Sequence, residues 1–238
     1  YGTFQGCLKL SGSIPKNLFA DLSGEFRDHL FRDVFMDCDS LTGEIPQNLF
    51  ADVQGAPKIS VFEGVFHGCS GLTGEIPADL FKNVKGVPAQ KMFEDTFSEC
   101  TGLTGEIPGG LFANIRGVAA ANMFTKTFAN TNLSGEVPQE LFAGIDPDSY
   151  SVGMMQNVFA GTNMTRECPA NQYFPGSDFE EDWSGAVFCQ DCAKGTTSPK
   201  GSKGADKCVA AINLHVGEDA VMNLEESRPA QSPVMVFD

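Results

Sequence analysis

The chain has 238 residues, 42% hydrophobic and 20% charged, the composition of a folding chain with a substantial core. Thirty-one acidic residues against 16 basic ones give a net charge of −15. That balance argues against a nucleic-acid binder or a protein docked on anionic lipid, and fits one that attracts cations or basic partners. No run approaches the roughly 18 apolar residues of a membrane span.

The chain opens inside a repeat. There is no initiating Met and no signal peptide, and Tyr1 sits where a later copy has Glu94. A processed, truncated or partial chain is expected. Leu10 begins LSGSIP; Leu41, Leu72 and Leu103 each begin LTGEIP; Leu133 begins LSGEVP. The first four lie 31 residues apart and the fifth follows after 30. A second phrase keeps the beat: LFRDVFMDC from Leu30, VFEGVFHGC from Val61, MFEDTFSEC from Met92, MFTKTFANT from Met123 and MMQNVFAGT from Met154. One residue is missing between Phe128 and Leu133. One is added around DPDSY, Asp146 to Tyr150, so the phase returns by Met154. Five copies cover residues 1 to about 153, and half a copy reaches Met164. Such units cannot bury their apolar faces alone and must stack.

Within one copy, LTGEI reads as a short strand, with Leu and Ile inward and Thr and Glu outward. IPADLFKNV predicts a helix started by its proline, with Leu80, Phe81 and Val84 on one face. KGVPA is a turn. KMFEDTFSEC predicts a second short helix, with Phe93 and Phe97 four residues apart. Stacked, these units predict an α/β coil with a parallel ladder of strands about 4.8 Å apart.

The phrases also carry a resemblance over residues 1–164. LxGxIPxxLF is similar to the leucine-rich repeat of extracellular plant-type proteins, and F-x-x-C-x-x-L resembles the BspA-like leucine-rich repeats of bacterial and protist surface proteins. The resemblance implies a right-handed α/β leucine-rich-repeat solenoid, extracellular or cell-surface display, and protein or matrix binding without catalysis. Cys7, Cys38, Cys69 and Cys100 share one repeat position. In leucine-rich repeats that position points inward and caps backbone groups, so the resemblance implies a ladder of buried, reduced thiols. Thr131 or its neighbours take the role in the fifth copy.

From residue 165 the composition changes. Cys168, Cys189, Cys192 and Cys208 span 41 residues, too few for an apolar core of their own, and the part from Cys192 to Cys208 is rich in Gly, Ser and Lys. Disulfides are the expected staple. A CxxC also serves redox and zinc sites, but no βαβ context accompanies this one and zinc takes two short-spaced pairs. The pattern C-x-x-G-T-x-S…C resembles the Cys-rich modules of ephrin-receptor-like and TNF-receptor-like ectodomains, and that resemblance implies the pairs Cys168–Cys189 and Cys192–Cys208. Residues 165–208 form this module, and 209–238 a β tail ending in the apolar Val234, Met235, Val236 and Phe237.

The candidate site is the outward strand face. Glu44, Glu75, Glu106 and Glu136 form a column beside Thr42, Thr73, Thr104 and Ser134, with Ser11 and Ser13 in the first copy. Carboxylates one strand apart repel, so the column favours a basic partner or a cation such as Ca²⁺. The same face also reads as a solvated surface that discourages strand aggregation. No cofactor is implied. DFEEDW, Asp178 to Trp183, reads as a recognition tip or weak Ca²⁺ site, or as a solvated acidic loop with Trp183 packed on a disulfide. Asn132 and Asn163 head N-glycosylation sequons. His29, His67 and His215 sit in unrelated contexts and no nucleophile elbow, HExxH or phosphate loop occurs, so an enzyme is not expected. The expected function is adhesin-like interaction. The alternative is a filament subunit joined head to tail, with Phe4 and Leu8 meeting the C-terminal strand of a neighbour.

Overall fold

The computed structural model describes residues 2–20, 22, 24–146, 149, 151–165, 167–168, 170–173, 190–202 and 205–210. Strands are short: β1 (Gly24–Glu25), β2 (Val53–Gln54), β3 (Thr104–Gly105), β4 (Asn132–Glu136), β5 (Asn163–Thr165), β6 (Gln172–Tyr173), β7 (Gln190–Asp191), β8 (Thr196–Thr197) and β9 (Val209–Ala210). They form a parallel pair β1–β2, a parallel trio β3–β4–β5, and two antiparallel pairs, β6–β7 and β8–β9. Isolated parallel bridges, such as Gly43 to Leu72 and Gly74 to Leu103, set further copies side by side.

This overturns the right-handed α/β leucine-rich-repeat solenoid. Among the described residues there is no α-helix, only one 3₁₀ turn at Ala205–Lys207. The sheets hold two or three strands and do not join into a closed coil. The reason lies in the backbone of the segments read as helices. In the second copy, His29, Asp33 and Asp37 have φ of 61°, 55° and 57°, so every fourth residue is left-handed. The same holds for Ser60, Gly64 and Gly68, and for Lys91, Asp95 and Glu99. The segment is a chain of overlapping turns. Leu30, Arg32 and Val34 donate their N–H groups to the carbonyls three residues back, at 3.2, 3.2 and 3.4 Å. The residues between them donate to the next copy: Phe31 to Val61 at 3.0 Å, Asp33 to Glu63 at 2.8 Å and Phe35 to Val65 at 3.0 Å. A helix would keep all these bonds inside the segment. Asp, Asn and Gly tolerate the left-handed state best, and they fill many of the positions that require it. The Asp33 and Asp37 side chains occupy the space that a Cβ on Gly64 and Gly68 would fill, and Asn122 and Asn130 do the same over Gly153 and Gly161.

The four-residue period still aims the phenylalanines inward. Phe31, Phe62, Phe93 and Phe124 stack with ring centroids 5.6, 5.6 and 5.7 Å apart. Phe4, Phe35, Phe66, Phe97, Phe128 and Phe159 make a second column at 5.5–5.8 Å. Phe19, Phe50, Phe81, Phe112 and Phe142 make a third at 5.9–6.1 Å. Leu, Ile, Val and Met side chains complete a single core from Ile14 to Met164.

Beyond it, a disulfide joins Cys192 to Cys208. Cys168 is disulfide-bonded as well; its expected partner Cys189 lies outside the described residues, as do His215, Asp178 to Trp183 and the tail with Val234, Met235, Val236 and Phe237. No helix among the described residues is long and apolar enough to cross a membrane.

Candidate interaction face

The phrase LTGEI alternates along the strand. Leu72 and Ile76 are buried, while Thr73 and Glu75 are exposed. Leu41 and Ile45, and Leu103 and Ile107, repeat the pattern around exposed Thr42, Glu44, Thr104 and Glu106. In β4, Ser134 and Glu136 are exposed beside buried Leu133 and Val137. Backbone bonds hold the rows in step: Thr42 to the Gly12 carbonyl, Thr73 to Gly43 and Thr104 to Gly74, each at 2.9 Å. The expected column therefore forms on one face.

The glycine between Thr and Glu gives the column its shape. Gly74, Gly105 and Gly135 have φ of 83°, 86° and 99°, a region that side chains disfavour. Each also lies under the glutamate of the copy before it. A Cβ on Gly74 would meet Glu44 Cγ at 3.0 Å, one on Gly105 would meet Glu75 Cγ at 2.7 Å, and one on Gly135 would meet Glu106 Cγ at 3.0 Å. The carboxylates thus lie across the next copy instead of standing free. This role of glycine was in the sequence as the invariant G of the phrase, but only the stacking direction reveals it.

Glu44, Glu75, Glu106 and Glu136 have no hydrogen-bond or ion-pair partner among the described residues. The field of the last rung nevertheless reaches a cation. Lys200, held by Glu167 at 3.0 Å, is favoured in its charged form first by that bond and Glu167's charge, then by Glu136. No three carboxylate, thiol or imidazole groups among the described residues converge as a metal site. The acids stand in a row, a geometry suited to an extended basic partner.

The thiols form the expected column with one correction. Cys38, Cys69 and Cys100 are buried, but Cys7 is exposed. The buried thiols donate to carbonyls of the preceding copy: Cys38 to Phe4 at 3.0 Å, Cys69 to Phe35 at 2.9 Å and Cys100 to Phe66 at 2.9 Å. Thr131 Oγ1 instead donates to the Phe128 carbonyl of its own copy at 2.8 Å. Burial pushes the Cys69 thiol up to about 12 and Cys100 well above the usual thiol range.

A second polar band runs along the turn chains, and the sequence reading missed it. Arg32 bridges Asp33 at 3.1 Å and Glu63 at 3.0 Å, and Lys91 bridges Glu94 at 3.0 Å. Burial raises the Asp33, Glu94 and Asp95 carboxyls, partly against nearby cations that lower them. His67 lies near Asp33 and Asp95. Aligning the copies by their 31-residue offset places Glu63 and Glu94 in one column, which is the signal that would have found the band. Elsewhere, Phe4 stacks on Phe35 at 5.6 Å, Leu8 is 58% exposed, and a shallow groove runs beside Glu25, Asp52, Asn83 and Lys85. Asn132 and Asn163 are both exposed, the former donating to the Thr101 carbonyl at 2.6 Å.

Comparison with protein-family models, curated proteins and solved structures finds no match.

Proposed function

We propose that this chain is a non-enzymatic interaction module that presents its glutamate column to a basic protein or matrix partner outside the cell. One observation carries the reading: four exposed carboxylates at one strand pitch, three of them (Glu44, Glu75 and Glu106) lying over glycines of the next copy, and none with an ion-pair partner of its own. Like charges held that close favour binding of an opposite charge. The Cys192–Cys208 disulfide supports the extracellular setting. The test uses a lysine-rich peptide as probe, titrated against the whole chain at low salt. Glu75→Gln with Glu106→Gln is expected to weaken binding at least about tenfold, while Glu25→Gln with Asp52→Asn, acids exposed elsewhere, leaves it nearly unchanged. Equal losses from both pairs would reduce the column to general charge and overturn the reading.

A further inference from the structure

The second extended track carries a surface that the core does not explain. Parallel bridges join Gly55 to Val84, Gly86 to Ile115 and Gly117 to Ile145. Val84 and Ile115 are buried. The next residues, Lys85 and Arg116, are exposed, and two residues further on Val87 and Val118 are 65% and 66% exposed. Adjacent rungs therefore carry the same outward pair, a cation followed by a valine. Val87 Cγ1 lies 3.4 Å from where a Cβ on Gly117 would sit, so the valines form a ridge along the stack. Neither cation has an ion-pair partner among the described residues. In a chain of net charge −15, an apolar ridge edged by unpaired cations calls for an acidic partner.

The glutamate column has the matching lattice. The column lies on short bridged strands and the ridge on bridged segments that bend at Val87 and Val118, and in both the rungs follow one another at one strand pitch, about 4.8 Å. The column offers Thr73 and Glu75, then Thr104 and Glu106 one rung on. The ridge offers Lys85 and Val87, then Arg116 and Val118. Laid face to face with opposed strand directions, each carboxylate meets a cation and each threonine methyl meets a valine.

We infer that the Lys85–Val118 ridge of one molecule docks on the glutamate column of a second copy of this chain. This rests on the column being a binding face. The patch is small, so the contact is weak, salt-sensitive and set by charge. It is also heterologous: a molecule that offers its column keeps its ridge free for another.

Sedimentation velocity on the whole chain tests this, from about 10 μM to about 1 mM and from about 20 mM to about 500 mM salt. The expected result is a sedimentation coefficient that rises with concentration at low salt and not at high salt. K85E/R116E and E75K/E106K should each abolish the rise alone and restore it when mixed, because each then offers what the other lacks. V87S/V118S should weaken it with no change of charge. A wild-type chain that stays monomeric throughout, or association that ignores both charge pairs, or a mixture that fails to restore it, overturns the inference. If the wild type stays monomeric while the lysine-rich peptide still binds at Glu75 and Glu106, this inference falls and the proposed function stands. If E75Q/E106Q also leaves peptide binding untouched, both fall.

Discussion

Replacing Gly105 by alanine tests how the column is built. The glycine has φ of 86°, and a Cβ there would meet Glu75 Cγ at 2.7 Å. The left-handed backbone alone costs an ordinary residue about 1–2 kcal/mol. Displacing Glu75 adds a crowding cost of about 1 kcal/mol, at the low end for overpacking because this side chain is exposed on one side. The sum is about 2–3 kcal/mol. In a Glu75→Ala background the crowding contribution disappears and about 1–2 kcal/mol remains. Urea unfolding of the four chains of the cycle gives the coupling between the two sites from the midpoints, provided the slopes agree. Gly110→Ala, where a Cβ meets nothing within 4 Å, should fall within about 0.5 kcal/mol of wild type. A Gly105→Ala cost that is the same in both backgrounds would refute the claim that the glutamate lies across the glycine of the next copy.

The thiol column predicts sharply unequal reactivity. Iodoacetamide at about pH 8 should alkylate exposed Cys7 in the native chain well before Cys38, Cys69 or Cys100, as read by peptide mass, and equal rates for Cys7 and Cys100 would contradict their placement. The polar band predicts a pH effect. Burial raises the Asp33, Glu94 and Asp95 carboxyls, so the folded state holds these protons more tightly than the unfolded one. Their contribution to stability is full below the ordinary carboxylate range and is lost as pH rises through the raised values. Asp95→Asn, which keeps a residue tolerant of the left-handed φ of 53°, should therefore raise the melting temperature at about pH 7 and not at about pH 3. A lower melting temperature at neutral pH would show that the charge of Asp95 is favourable where it stands.

The sequence made the order of the stack legible and the form of its backbone illegible. A 31-residue offset correctly pairs Phe62 with Phe93 and Glu75 with Glu106, because the stacking direction repeats the same chemistry. It also identifies Leu72 and Ile76 as inward and Thr73 and Glu75 as outward, since a two-residue alternation has one reading. The helices failed because Phe93 and Phe97, four residues apart, suit two backbones. A helix brings every fourth residue to one face, and so does a chain of turns with a left-handed residue in each. Asp33 and Asp37, four residues apart, and Asn122 and Asn130, eight apart with Lys126 between them, marked the second backbone, but they read as ordinary polar positions on a helix. Cys7 was misplaced because it shares its position with buried thiols, and shared position alone says nothing of what covers it.

Near-identical copies carry a hazard of their own. If one copy skipped its neighbour and settled on the next but one, Phe31, Phe35, Phe50, Phe62 and Phe66 would still find a phenylalanine. The left-handed columns oppose this error. Asp33 and Asp37 fit over Gly64 and Gly68, and Asn122 and Asn130 over Gly153 and Gly161. A slip by one whole copy would set Asp33 over Asp95 and Asp37 over Glu99, acid against acid with no glycine to receive it. Small differences among the copies thus act as a key, letting a repetitive chain fold in only one order.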